Sequence, residues 1–243
     1  MDQVVCSIGT THPWNVAGVG LDLRLGTELG VRVLSVIAAV SAQDERGVRA
    51  LEAVSPALLR AQLAAIPWPQ VDAVRVGALP TVEAVAAVAE AFAPLDGPIV
   101  IDPVLAASRG GALAGAGVLE ATRDRLLPLP HAILTPNLDE AEALLRRTIA
   151  RGEMEAAAAE LRARGARAVL LKGGHVTGDP IDVLAIPGET LRFEEARIPG
   201  EMRGTGCTLA MALACALARG DELIPAVRFA RGIVREKIAQ ANA

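Results

Sequence analysis

His131-Ala132-Ile133-Leu134-Thr135-Pro136-Asn137-Leu138-Asp139-Glu140 reads as the junction of a buried strand and a helix. The apolar run His131–Leu134 stops at Thr135-Pro136, because proline cannot donate to a ladder and biases its predecessor away from helix. Asn137 then suits the cap of a helix over Leu138–Leu145. The same arrangement stands one unit earlier, where Pro98–Ile101 runs into Asp102-Pro103. It returns later, where Ala168–Leu171 ends in Lys172-Gly173-Gly174.

Working outward, short β-rich runs alternate with Ala/Leu-rich helical patterns along the chain. Strands are expected at Val4–Ile8, Val31–Ala38, Asp72–Val76, Pro98–Ile101, His131–Leu134 and Ala168–Leu171. Helices are expected at Gly18–Leu29, Pro56–Ala65, Val82–Phe92, Leu138–Leu145, Glu153–Arg164, Thr208–Ala218 and Ile224–Ala239. Such alternation implies an α/β fold, with parallel strands and crossover helices on both faces. Ile181–Ile186 and Leu191–Arg197 flank Pro187-Gly188-Glu189-Thr190 and read as a hairpin at one end of the sheet. No linker or internal repeat divides the chain, so residues 1–243 are expected to form one domain. Ligands of such sheets sit beyond the carboxyl ends of the strands, and the polar residues singled out below follow strands.

Composition narrows the function. The 243 residues are 52% hydrophobic, yet no apolar run of spanning length lacks Gly, Pro or charge, so no membrane partner is expected. The first residues carry no basic segment before an apolar one, which argues against a secretory signal. Three cysteines without paired spacing argue against disulfides and zinc, and fit a reducing cytoplasm. A net charge of −4 without a Lys/Arg block argues against nucleic acid. With no Tyr, 3 Phe and 2 Trp, base-stacking platforms are not expected either.

The richest chemical signal is Arg203-Gly204-Thr205-Gly206-Cys207-Thr208, which runs into an apolar helix. Glycines there let backbone approach a ligand, and the helix start offers unpaired N–H groups and positive dipole to an anion. Cys207 falls in the first turn, where a thiol's pKa is expected to drop. The segment thus joins an anion hole to a proton acceptor. Asp102 could help hold Mg²⁺, or simply form a turn before proline. Glu140 could be a more distant Mg²⁺ carboxylate, or the partner of Asn137 in a capping box. Lys172 can reach a phosphate as a point charge, or stand exposed before a turn. His175 reads as a structural or surface histidine rather than a catalyst. Gly9-Thr10-Thr11-His12-Pro13-Trp14 is expected to follow the first strand and to touch substrate through its backbone. Asp22 joins it there, or lies on a solvated helix face. Trp14 is read as a lid or a packing residue. Ser41-Ala42-Gln43-Asp44 is expected as a loop after the second strand, with Gln43 able to pair with an aminated heteroaromatic ring. Cys6 and Cys215 lie in apolar runs and read as inert core.

Ala17–Asp22, Val40–Val48, Ile101–Val104, Leu134–Leu144, Leu171–His175 and Gly204–Leu209 stand in an order and spacing, over nearly the whole chain, that resemble a known family. It is the hydroxymethylpyrimidine/phosphomethylpyrimidine kinases of thiamine biosynthesis, within the ribokinase-like superfamily. The resemblance implies a three-layer α/β/α fold with a mostly parallel central sheet. It implies an ATP- and Mg²⁺-dependent phosphotransferase acting on an aminopyrimidine alcohol or its phosphate, and a homodimer. By resemblance Cys207 is the base, and Gly204–Cys207, including Gly206, form the anion hole. Lys172, Thr205 and Asn137 would serve ATP, and Asp102 and Glu140 would organise Mg²⁺. Gly9, Asp22, Gln43, Ala78 and Arg203 would line the substrate side. The chain departs from the family on that side. His12-Pro13-Trp14-Asn15-Val16-Ala17-Gly18 stands for the usual Asp-Pro-Ser-Gly-Gly-Ala-Gly, Ala78 for a pocket Met, and Arg203 for a His. A Lys after the Asp102-Pro103-Val104 strand is missing, with Ser108-Arg109 nearby. Two alternatives are a pyridoxal-type kinase and a catalytically silent protein that binds a thiamine precursor.

Overall fold

The central strand β1 (Val4–Thr11) is buried from Val4 to Thr10, as a strand covered on both faces must be. A computed structural model describes residues 3–92, 95–107, 110–174 and 178–242. After β1 follow α1 (Gly18–Glu28), β2 (Arg32–Asp44), β3 (Gly47–Ala53), α2 (Pro56–Ala64), β4 (Ala73–Val76), α3 (Val82–Phe92) and β5 (Ile99–Ile101). The second half holds α4 (Val118–Arg125), β6 (Ala132–Leu134), α5 (Leu138–Leu145), α6 (Met154–Arg162), β7 (Ala168–Leu171), β8 (Ile181–Ile186), β9 (Glu189–Glu194), α7 (Thr205–Ala218) and α8 (Leu223–Ala241).

These strands form one nine-stranded sheet in the order β3-β2-β1-β4-β5-β6-β7-β8-β9. The six from β2 to β7 run parallel. β3 closes one edge antiparallel to β2, and the β8–β9 hairpin closes the other. Ile186 pairs with Glu189, so Pro187-Gly188 is a two-residue turn, and the second arm starts two residues before its expected position. Helices α1, α7 and α8 pack together on one face, while α2 to α6 form a row on the other. The expected three-layer α/β/α architecture is therefore observed.

Three local readings change. β1 runs on to Thr11, so Gly9 lies in the strand and not after it. β2 runs on to Asp44, which places Ser41 and Gln43 in a strand paired to β3 and not in a loop. α7 begins at Thr205, three residues before the expected start, because Gly204 adopts φ +76° and serves as its N-cap. Ten residues of α7 are buried, half of them Ala. Small side chains let it press against the sheet, α1 and α8 at once, which fixes its N-terminus in place.

Candidate active site

Parallel strands bring the ends of β1, β4, β5, β6 and β7 to one edge of the sheet. Asp102 follows β5, Asn137 follows β6, and Lys172 follows β7. The start of α7 lies over them. A Cβ on Gly206 would stand 3.2 Å from Lys172 Nζ and 3.9 Å from Asp102 Oδ1. Sheet edge and helix terminus therefore meet at the one position without a side chain.

The start of α7 leaves backbone donors open, as an anion site would require. Gly204 caps α7 with no side-chain hydrogen bond, so the N–H groups of Thr205, Gly206 and Cys207 keep no intrahelical partner. A side chain at 204 would press to 2.2 Å from the Val16 carbonyl oxygen. Glycine is thus required there both by φ and by the first loop. Thr205, Gly206 and Cys207 are the first three helical residues, and the thiol sits in the first turn as expected.

The thiol's ionisation departs from expectation. Burial pushes Cys207 up, against the pull of the Arg75 guanidinium, and Asp102 and Asp22 push it further up. Desolvation here outweighs the helix terminus. Cys6 and Cys215 are fully buried, and burial takes both to about 12, as inert core thiols.

Lys172 is not exposed before its turn. Its ammonium donates to Asp102 Oδ1 at 2.8 Å with a side chain only 13% exposed. Burial would lower its pKa, but Asp102 and Glu140 outweigh that and hold it charged. Asp102 Oδ2 accepts from Arg75 Nη2 at 2.9 Å. Burial would raise Asp102, yet Lys172 and Arg75 together keep it below the ordinary range. Glu140 forms the capping box in full: Asn137 N donates to Glu140 Oε2 at 2.7 Å, and Glu140 N to Asn137 Oδ1 at 2.8 Å. The Asn137 amide oxygen is thus committed to the helix. Glu140 is also buried, which pushes it up to about 7, with Lys172 pulling down and Asp102 pushing up. Two buried carboxylates beside a lysine form a donor set suited to Mg²⁺, which takes one or two carboxylates along with phosphate oxygens and water.

Asp22, expected on the substrate side, is fully buried and turned inward, not on a solvated face. Its Oδ2 accepts from Ser7 Oγ at 2.6 Å and faces Arg75 Nη1 at 3.3 Å. Burial raises it against those two partners. Gln43 is buried and donates through Nε2 to Ser41 Oγ at 2.8 Å. Ala78 is buried just past β4, and a Cβ on Gly9 would stand 3.6 Å from Gly77 Cα. Arg203, in the turn before α7, donates to the Asp44 carbonyl at 3.3 Å, and among the described residues its buried Nε has no partner. Trp14 is half exposed at the loop surface. His175, Ser108 and Arg109 lie outside the described residues.

Arg75 escaped the sequence reading, and His12 entered it only as part of the first loop. His12 is buried, and among the described residues neither ring nitrogen makes a well-formed hydrogen bond, with the Ala17 backbone its nearest partner. Burial and then the nearby Arg203 charge lower its pKa. Arg75 is the largest fully buried side chain and links Asp22 to Asp102. Its signal was a charge inside the apolar run Ala73-Val74-Arg75-Val76.

The sequence profile described as phosphomethylpyrimidine kinase matches residues 13–243. The chain belongs to this family. A hydroxymethylpyrimidine/phosphomethylpyrimidine kinase from Rhizobium meliloti is 38% identical over all of this chain and 92% of its own length. The crystal structure of a phosphomethylpyrimidine kinase from Clostridium difficile matches with TM-score 0.82 at 27% identity, covering 100% of both chains. Pyridoxal kinase from Staphylococcus aureus, solved with AMP-PCP and pyridoxal, matches with TM-score 0.87 at 25% identity, over 98% of this chain and 88% of that one. Membership in the phosphomethylpyrimidine kinase family makes the chain a phosphotransferase and settles the fold as ribokinase-like. Among the described residues no helix is long and apolar enough to cross a membrane.

Proposed function

We propose that the chain transfers the γ-phosphoryl group of ATP to 4-amino-5-hydroxymethyl-2-methylpyrimidine phosphate, and also accepts the free alcohol. The observation that carries this reading is the uncapped N-terminus of α7, with Cys207 in its first turn, set over the Lys172–Asp102 pair. Phosphoryl transfer needs positioning and charge stabilisation more than covalent chemistry. Cys207, as the thiolate, takes the proton of the substrate hydroxyl. The alcohol oxygen bonds to the γ-phosphorus as the bond to the bridging oxygen breaks, and ADP leaves with that electron pair. The N–H groups from Thr205 to Cys207 hold the equatorial oxygens. Lys172 leaves Asp102 to meet the phosphates, and Thr205 and Asn137 border the nucleotide. Asp102 and Glu140 would hold Mg²⁺, which supplies further neutralisation of phosphate charge.

Gln43 and Asp22 are the groups we assign to the aminopyrimidine, with Gly9 and Ala78 leaving room for the ring. Arg203 and His12 carry buried nitrogens that make no well-formed hydrogen bond among the described residues. Such atoms are costly unless a ligand meets them. A phosphate on the substrate supplies that partner, so the phosphorylated substrate should be used better than the alcohol. We place the whole chain, as one kinase domain, in the cytoplasm and read it as a homodimer. Its free cysteines and its exposed Trp14, Leu23 and Val40 favour those readings, and sedimentation velocity tests the second.

The similarity to pyridoxal kinase supports a second reading, in which pyridoxal is the acceptor. ATP turnover with the alcohol, its monophosphate and pyridoxal side by side decides between them. Turnover confined to pyridoxal defeats the first reading, and absence of turnover with all three favours a silent binding protein.

A further inference from the structure

Arg75 sits on β4, on a face of the sheet that is apolar toward the strand starts and carries Ser7 of β1 beside it. Ala73, two residues earlier on that face, packs in one cluster with Val5, Val100 and the helix α7. A buried arginine there is costly, and buried ion clusters are often replaceable by apolar packing without loss of stability. This one is not even fully satisfied: among the described residues Arg75 Nε and Asp22 Oδ1 have no partner. Packing therefore gives no account of why a guanidinium stands there.

Its position gives one. Nη2 donates to Asp102 Oδ2 at 2.9 Å, which turns the other oxygen, Oδ1, to Lys172. Nη1 lies 3.3 Å from Asp22 Oδ2. The group also lies close to the Cys207 thiol. Its end fills the space between the strand ends of β1 and β4. A Cβ on Gly77 would stand 2.0 Å from Nη1, and one on Gly9 would stand 3.7 Å from it. Gly77 is thus kept bare by the guanidinium itself.

We propose that Arg75 is a positioning residue for phosphoryl transfer: it turns Asp102 toward Lys172 and sets a fixed positive charge beneath the Cys207 sulfur. The role rests on Cys207 being the proton acceptor. Before the transfer, the negative charge of the thiolate is answered by a cation that cannot titrate away. When the substrate hydroxyl gives its proton to sulfur, the thiol becomes neutral as the alcohol oxygen bonds to phosphorus. The other charged groups around the thiol are Asp102, Asp22 and Lys172, with the Gly18 N–H beside it. The carboxylates oppose charge on sulfur and the cations favour it.

The test uses Arg75→Met, Arg75→Lys and Gly77→Ala. Arg75→Met leaves two carboxylates short of a partner and could fail to fold. Gly77→Ala keeps every charge and only displaces the guanidinium, so it keeps the proposal testable. Removing groups that orient the reacting residues costs roughly 10–100-fold, and we expect that loss in kcat for Arg75→Met and Gly77→Ala, with little change in either KM. Alkylation of Cys207 by iodoacetamide in the ligand-free protein, followed by peptide mass spectrometry, should slow about tenfold in Arg75→Met. Arg75→Lys should restore most of the alkylation rate and less of kcat, because it returns the charge but not the two-ended grip. Unchanged kcat and unchanged alkylation in Gly77→Ala and Arg75→Met would overturn the proposal, as would a loss confined to KM. A wild-type protein that phosphorylates none of the three acceptors would defeat the proposed function instead, and the alkylation readout would still decide the role of Arg75.

Discussion

The two halves of the site treat their charges differently. In the half we assign to the nucleotide, Lys172 and Arg75 each donate to Asp102, at 2.8 and 2.9 Å. In the half we assign to the substrate, His12 and Arg203 hold buried nitrogens that no well-formed hydrogen bond among the described residues meets. A ligand at the first half must exchange partners with the protein. A ligand at the second fills a place already lacking one. Exchange makes binding sensitive to each member of the pair, whereas an orphaned donor rewards the ligand that brings an acceptor.

Cys207→Ser tests the point where the halves join. General-base help contributes about 10²–10⁴-fold in rate, and kcat should fall by that order with the KM for ATP largely kept. Unchanged turnover would reduce Cys207 to packing. Lys172→Ala tests the paired half. One charge-assisted contact of roughly 1.5–3 kcal/mol corresponds to about one to two powers of ten, lost in KM for ATP or in kcat. A loss that falls on the pyrimidine KM alone would show that the division between the halves is wrongly drawn.

Arg203→Ala tests the orphaned half. The ratio of kcat/KM for the monophosphate over the alcohol should drop about tenfold, the worth of one charged hydrogen bond at a half-buried position. If the alcohol proves the better substrate of the wild-type enzyme, the phosphate reading of this corner fails. The smallest effect concerns stability. Glu140 is raised from 4.5 to about 7 in the fold. Below pH 4.5 it is protonated in both states and its favourable contribution is whole. As pH rises toward 7 the unfolded chain ionises while the fold resists, so stability declines. One proton limits that slope to about 1.4 kcal/mol per pH unit. Urea unfolding across this window should show the decline in wild type and a flatter curve in Glu140→Gln. Parallel curves would mean that Glu140 is ionised in the free protein.

Where the sequence carried a period and a stop signal, it was readable. Val82–Phe92 and Leu138–Leu145 match their helices end to end, and Asn137 and Glu140 announced their capping box by spacing alone. β3 was missed because Gly47–Ala53 is an edge strand of mixed side chains, buried fully only at Gly47 and exposed at Arg49, Ala50 and Glu52. Helix α4 was missed because Val118–Arg125 is mostly polar and buries only Val118, Ala121 and Thr122. Lys172, Asp102 and Cys207 were found because motifs mark them. That they are locked together was not legible, since Arg75 and Asp102 meet across neighbouring strands and Lys172 arrives 70 residues after Asp102. The Cys207 pKa failed for a related reason: a helix terminus is visible in sequence, but the burial that overrides it is not.

Helix α7 has a consequence for how this enzyme could change its diet. Its alanines are enclosed by the sheet, α1 and α8, and added methylenes in a filled interior cost about 1–3 kcal/mol each. Hardly any position from Thr208 to Ala218 can grow without pushing the anion hole out of place. The loop from His12 to Val16 and the β2–β3 hairpin carry no such penalty over much of their length, for Trp14 and Val40 face solvent. A laboratory selection for a new acceptor should therefore gather its winning mutations around residues 12–16, 43 and 203, and leave the helix behind the phosphates as it found it.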